Sequence, residues 1–317
     1  MQKINNLFKT FREAAILIIF VVFCIIMTIA SPYFLTWSNI SSTIVGMCSN
    51  AFLAIGMTVV LAAGGIDLSV GSVMAMAGSV IGALFSAAGM NIFAAALIGV
   101  ITGVLVGLVN GLICSKTSIA PMIVTLGTMN VAKGLAMVLT QGTSISLMSA
   151  PEAYSVAGQG TVGAIPILII ITLIIAIVFG FLLKKSTSMR KAYYVGSNEQ
   201  AADYSGINIA KVKIGVYVLS GLLAGIAGIL TTSRFSVASP TAGDGAEMTA
   251  ISAAVIGGAS VTGGSGSILG TMLGLLLLSF INNALVLLNV SVYWQEFING
   301  CILLVAVLID YFSRRKK

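Results

Sequence analysis

Three carboxylates stand beside glycine clusters in an otherwise apolar chain: Asp67 in AAGGIDLSVGS, and Asp244 and Glu247 in TAGDGAEMTA. An acid at membrane depth is costly, and where it occurs it usually serves a function. Two roles fit Asp67. With Ser69 beside it, it lines a substrate path or gate; alternatively it caps the following helix, its oxygens taking free backbone N–H groups. Glu247 admits the same two roles. Asn282 and Asn283 lie inside a later apolar run, and Asn110 and Asn130 lie in or at the ends of others. A buried amide needs partners. Bonds to a neighbouring helix are the simpler assignment, while the hydroxyls of a sugar are the sharper one, because an amide both donates and accepts. Lys133 falls within a run as well, seven residues from its end, where it snorkels to the interface or faces a cavity.

Other chemistries are excluded by what is missing. The 317 residues include no histidine, which removes the commonest general base, metal ligand and pH switch together. Cys24, Cys48, Cys114 and Cys301 are dispersed without a C-x-x-C, so they read as buried small residues rather than metal or redox ligands. A phosphate-binding loop needs G-x-x-x-x-G-K-[ST]. The glycine-rich run 263–267 lacks the lysine. No catalytic residue and no cofactor are assigned, and a nucleotide-driven process would need a separate chain to hydrolyse ATP.

The elements that hold these residues are membrane helices. The chain is 58% hydrophobic and 8% charged, against roughly 25% charged in soluble domains. Spans of roughly 20 apolar residues fall at 14–30, 43–63, 70–88, 91–113, 119–140, 164–183, 212–232, 248–262, 268–288 and 295–311. The first follows a basic stretch and has no A-x-A-like cleavage site, so it reads as a helix rather than a cleaved leader. With both termini cytoplasmic, fourteen of the sixteen basic residues fall on the inner side, as positive-inside topology requires. The basic clusters beside apolar runs therefore mark topology, not a nucleic-acid surface. Six of them bracket a polar island, 184–213, long enough to fold into something a soluble partner could grip.

Small residues mark the packing. Gly99, Gly103, Gly107 and Gly111 recur every fourth residue and form a smooth stripe on one helix, the pattern that lets helix backbones approach in lipid. An internal echo is also visible. At an offset of 180, residues 62–78 lie over 242–258, matching Gly65 with Gly245, Asp67 with Glu247, Ser72 with Ser252 and Gly78 with Gly258. Either small-residue membrane sequences align by chance, or the chain holds an inverted repeat with glycine-broken helices near the substrate path.

Four stretches carry a resemblance: GMTVVLAAGGIDLSVGSVMAMAG (56–78), GSNEQAADYSGINIAKVKI (196–214), GLLAGIAGIL (221–230) and PTAGDGAEMTAISAAVIGGASVTGGSGSILGT (240–271). In them the chain resembles the membrane-spanning permease subunit of bacterial ABC importers of the ribose/xylose/arabinose/galactoside type. The resemblance implies a second permease copy or paralogue, cytoplasmic ATP-binding subunits, and an extracytoplasmic sugar-binding protein. It also implies that Gly196, Ser197, Asn198, Glu199, Ala202, Ser205, Gly206 and Ile207 dock on the ATPase. Where relatives often carry Gly-Arg just ahead of this stretch, this chain has Met189-Arg190-Lys191.

Residues 198–204 can independently form a short helix, with Ser197 as N-cap, Glu199 in the first turn and Gly206 ending it. The expectation is thus an all-α polytopic protein of about ten transmembrane helices with an inverted internal repeat. It is a single permease domain, 1–317, with a coupling loop at 184–211, set in the lipid of the bacterial cytoplasmic membrane. It would carry a monosaccharide inward. The rival class, an ion-coupled secondary sugar transporter, calls for titrating membrane acids or histidines and has no use for the island.

Overall fold

A computed structural model describes residues 2–315, with the side chains of 2–12, 309 and 313–315 left aside. Lys316 and Lys317, and the side chains of Lys3, Lys9, Arg12, Arg314 and Arg315, are therefore outside the described residues. Apolar runs become helices wherever no break intervenes: α1 (Gln2–Ala30), α2 (Trp37–Ala62), α3 (Val70–Ser86), α4 (Ile92–Lys116) and α5 (Pro121–Thr140). A polar stretch then holds β1 (Ile145–Ser146), α6 (Glu152–Gln159), β2 (Thr161–Val162) and β3 (Ile165–Pro166). α7 (Ile167–Lys185) leads into two short helices, α8 (Thr187–Ser197) and α9 (Glu199–Tyr204). The chain closes with α10 (Ile209–Phe235), β4 (Val237–Ala238), α11 (Ala246–Ile256), α12 (Ile268–Leu287) and α13 (Val292–Arg315).

The protein is all-α and polytopic. Among the described residues ten apolar helices follow the predicted order, and eight of them are long and apolar enough to cross a bilayer. The two short ones are α3, with 17 residues, and α11, with 11. At 1.5 Å per residue α11 rises about 16 Å, half of a ~30 Å hydrocarbon core. The eighth span, expected over 248–262, ends as a helix at Ile256. The remainder, 257–267, is irregular because glycines at 257, 258, 263, 264 and 266 leave little side chain to hold a helix.

α2 is the axis. Every residue from Ala51 to Ala62 is buried. On one side of it α3, α4, α5 and α10 pack together; on the other α11 packs with α12 and α13, and α1 lies on α12. The long helices are interlocked. α10 packs on α3 and α4, while α2 packs on α11 and α12. The glycine stripe lies in this interlock. A methyl group at Gly103 would meet the backbone of Gly221 and Gly225, one at Gly107 the Tyr217 carbonyl, and one at Gly111 the backbone of Ile214. Gly99 faces α3, at Ala77 and Ile81. Backbones this close gain dispersion contacts that lipid cannot supply. Outward faces of α1, α7 and α13 expose Ile18, Ile29, Leu173, Ile177, Phe181 and Leu304, a surface suited to lipid.

The polar stretch after α5 is more ordered than its composition suggests. β1 pairs antiparallel with β4 (Ile145 opposite Ala238), and α6 seals the last turns of α10. The Tyr154 hydroxyl meets that of Thr232 at 2.6 Å, Gly158 N–H donates to Ser233 Oγ, and Ser233 donates to the Tyr154 carbonyl. Burial pushes the Tyr154 phenol up to about 12, with the Thr232 bond opposing, so it stays neutral.

Candidate functional site

Both helix breaks follow from sequences that cannot continue a helix. After Ala62 the chain runs through Gly64-Gly65 to Asp67 before α3 begins at Val70. After β4 it runs through residues 239–245 before α11 begins at Ala246. The two breaks meet. The backbone of Gly71, in the first turn of α3, lies directly against that of Gly243, and neither position has room for a Cβ. Glu247, in the first turn of α11, abuts Gly71. The N-termini of two incomplete helices thus share one seam.

Asp67 is fully enclosed. Its Oδ1 accepts from Ser69 N–H at 3.0 Å and from the Ser69 hydroxyl at 2.6 Å, and Oδ2 accepts from the Ser220 hydroxyl at 2.7 Å. The N-cap of α3 is Ser69, whose side chain makes no capping bond. Asp67 therefore takes a backbone N–H at the head of α3 and at the same time ties the break to α10. The network widens through Asn110, whose Nδ2 donates to Ser69 Oγ at 3.0 Å and whose Oδ1 accepts from the Thr128 hydroxyl at 2.7 Å. Tyr217 and Thr125 hydroxyls both donate to the Ile66 carbonyl. Three helices, α4, α5 and α10, thereby fix the first break.

The other predicted residues lie elsewhere. Asn283 exchanges two amide bonds with Asn39, at 2.9 and 2.8 Å, which join α12 to the start of α2. Asn282 Oδ1 is buried and has no hydrogen-bond partner among the described residues. Asn130 donates to the carbonyl one turn back, Leu126. Lys133 pairs with Asp244 at 2.8 Å, across from α5 to the second break.

Residues 196–207 sit at the end of the bundle where α2 finishes. α9 starts at Glu199 with Asn198 as N-cap, its side chain accepting from Ala201 N–H. The expected cap, Ser197, is instead the last residue of α8, which continues one residue further than the short-helix reading allowed. Gly206 has φ +76°, and the bonds Ile207 N–H to Ala202 and Gly206 N–H to Asp203 close the helix end. Glu199 pairs with Lys213 on α10 at 2.6 Å. Ala202 is buried and Ser205 exposed.

This segment touches the first break and the irregular glycine-rich run that follows α11. Gly196 lies against Ala62, Ala63 and Gly64 on one side and Gly263 and Gly264 on the other. Gly264 N–H donates to the Ala62 carbonyl at 3.0 Å, and the Tyr193 hydroxyl donates to the Gly266 carbonyl at 2.8 Å. Burial pushes the Tyr193 phenol up to about 12, so it remains a donor. A cavity of about 330 Å³ opens beside the segment, lined by Gly64, Cys114, Pro121, Glu199, Lys213 and Tyr217. Tyr193, Tyr217 and Ser220 were not singled out from sequence. The available signal was the spacing of Lys213, Tyr217 and Ser220, which places polar groups on one face of an apolar helix. Among the described residues no group of three or more His, Cys, Asp or Glu could hold a metal ion.

Comparisons with known proteins agree with this architecture. Residues 39–307 match the family described as branched-chain amino acid transport system / permease component. A ribose import permease of Bacillus subtilis (strain 168) is 41% identical over 286 residues, covering 90% of this chain and 88% of the relative. A ribose import permease of Haemophilus influenzae is 38% identical over 294 residues, 92% and 91% of the two chains. An L-arabinose ABC transporter permease of Azospirillum brasilense is 36% identical over 313 residues, 99% and 91%. No solved structure matches the chain. Eight helices able to span a bilayer and a family match over most of its length make this chain a multi-pass membrane protein belonging to the transport-system permease family.

Proposed function

We propose that this chain is the membrane subunit of an ATP-driven importer that carries a ribose-type pentose or related monosaccharide inward. The family description names amino acids, whereas the relatives described above, similar over nearly full length, are named for ribose and arabinose; the sugar assignment follows those relatives. One observation carries the mechanism: Gly196, beside the α8–α9 turn, touches the start of the first break and the glycine-rich run after α11 at once. A cytoplasmic ATPase that pushes on α8 and α9 would therefore act through backbone contacts on the first break directly and on the second through α11, which separates it from that run. In this reading residues 184–211 are the coupling loop, and the termini and that loop face the cytoplasm. A sugar-binding protein docks at the opposite end, near α6, and a second permease completes the route.

The inverted repeat is supported by element order. Long, short, long, long recurs as α2–α5 and α10–α13, and the packing exchanges with it: α10 on α3 and α4, α2 on α11 and α12. Alternating access would then be a relative movement of the two halves about the Gly71–Gly243 seam.

The test is sugar uptake into proteoliposomes holding this chain with its ATPase subunit and binding protein. Pentose uptake should require ATP hydrolysis. Uptake by this chain alone under a proton or sodium gradient would establish the secondary-transporter class instead.

A further inference from the structure

Lys133 and Asp244 form an ion pair in an unusual place. Lys133 lies about 18 Å along α5 from its first residue and about 10 Å from its last, well inside a span. The two side chains are 40% and 48% exposed. A half-exposed ion pair facing hydrocarbon costs several kcal/mol. Snorkelling does not remove that cost, because the Lys133 ammonium is held by Asp244 rather than directed to the helix end.

A second observation concerns the backbone beside it. Residues 241–245 are non-helical, and Thr241, Ala242, Asp244 and Gly245 are exposed. Irregular backbone at membrane depth is tolerated only where it lines water or is covered by protein. The same stretch forms the seam with Gly71, and half-buried Glu247 follows it. On the other face of α5, Val131 and Val138 are exposed and apolar, as a lipid-facing surface should be.

We propose that the Lys133–Asp244 pair faces a water-filled route through the bilayer and forms part of the polar wall along which the sugar passes. The proposal rests on the importer reading above. Its chemistry suits a neutral polyol. An ammonium supplies donors and a carboxylate supplies acceptors for hydroxyl groups, while the pair as a whole carries no net charge. Such a wall offers no attraction to a sugar phosphate and binds a neutral pentose weakly enough to release it.

Cysteine accessibility in the complete transporter tests this. Lys133→Cys, Asp244→Cys, Ala242→Cys and the control Val131→Cys are each placed in a background whose four native cysteines are replaced. They are then treated in sealed vesicles with a membrane-impermeant methanethiosulfonate. Lys133→Cys and Asp244→Cys should label roughly tenfold faster than Val131→Cys, since hydrocarbon excludes the reagent. If both variants fail to accumulate, Ala242→Cys takes their place. Labelling should also change severalfold between the resting state and turnover with ATP and pentose-loaded binding protein. Labelling no faster than at Val131→Cys means the pair faces lipid or protein and overturns the proposal, as does labelling indifferent to turnover. Resting labelling needs no transport, so rapid reaction in a complex that imports no pentose would sink the importer reading while leaving the aqueous face in place.

Discussion

Glu199 and Lys213 join the first turn of α9 to the first turns of α10 through a 2.6 Å ion pair. α10 then carries Tyr217 and Ser220 one and two turns further along, and these hold the Ile66 carbonyl and the Asp67 carboxylate. One helix face therefore runs from the head of α9 to the first break. Glu199 is half exposed, and exposed pairs contribute only about 0–1 kcal/mol to stability. Glu199→Lys should leave the melting temperature near that of the parent while sugar uptake falls severalfold and ATP hydrolysis persists. Glu199→Lys combined with Lys213→Glu should recover uptake. Normal uptake in the single variant would remove the pair from the coupling route.

Gly196 and Gly206 differ in why they are glycine. A methyl group at Gly196 would collide with the Ala62 carbonyl and the Gly264 N–H, whereas Gly206 has open space and a positive φ. Gly206→Ala should cost about 1 kcal/mol from backbone strain alone. Gly196→Ala should separate the segment from the first break and from the glycine-rich run after α11, and abolish coupled uptake. Equal effects of the two substitutions, measured as uptake and thermal stability, would contradict this assignment.

Asp67 makes all its visible bonds within the protein. Asp67→Asn keeps an acceptor for Ser69 and a partner for Ser220, so it should fold and transport. Asp67→Ala orphans buried donors at about 1–3 kcal/mol each and should lower the melting temperature sharply. A well-folded Asp67→Asn protein without uptake would show that the charge itself lies on the sugar's path.

How much of this could be read from residues alone follows from what each signal encodes. Ten apolar helices in order were legible because each starts from an apolar run, although the glycines at 257 and 258 cut the eighth short. The stripe Gly99–Gly103–Gly107–Gly111 was legible because a four-residue recurrence marks one face. Periodicity does not say which helix covers that face, so the pairing with Gly221, Tyr217 and Ile214 needed coordinates. α8 and α6 were missed because each is short and partly polar, and their helicity depends on docking against residues distant in sequence. The cap of α9 moved from Ser197 to Asn198 since both are good caps and only the continuation of α8 distinguishes them. Tyr193 gave no sequence signal, because its partner is a backbone carbonyl at Gly266.

Asn39 and Asn283 satisfy one another. Asn283→Leu alone leaves Asn39 Oδ1 without its donor, while Asn39 Nδ2 keeps the Phe34 carbonyl, and should destabilise by about 1–2 kcal/mol. Asn39→Leu with Asn283→Leu should be less destabilised than the sum of the single variants, with uptake retained. Additive losses in denaturation of the purified protein would argue against a coupled pair.

The interlock of α10 with α3 and α4 has a consequence for biosynthesis. The ribosome delivers α4 and its bare glycine face long before α10 exists, so that face has no native cover until residue 235 has been made. α2 waits longer still, because α11 and α12 follow. The first half of the polypeptide thus enters the bilayer as loosely associated segments and cannot reach its final arrangement during translation. Truncation before α10 leaves the glycine face of α4 uncovered, and truncation between α10 and α12 still leaves α2 without α12, so proteolytic quality control should find incomplete chains easy to recognise.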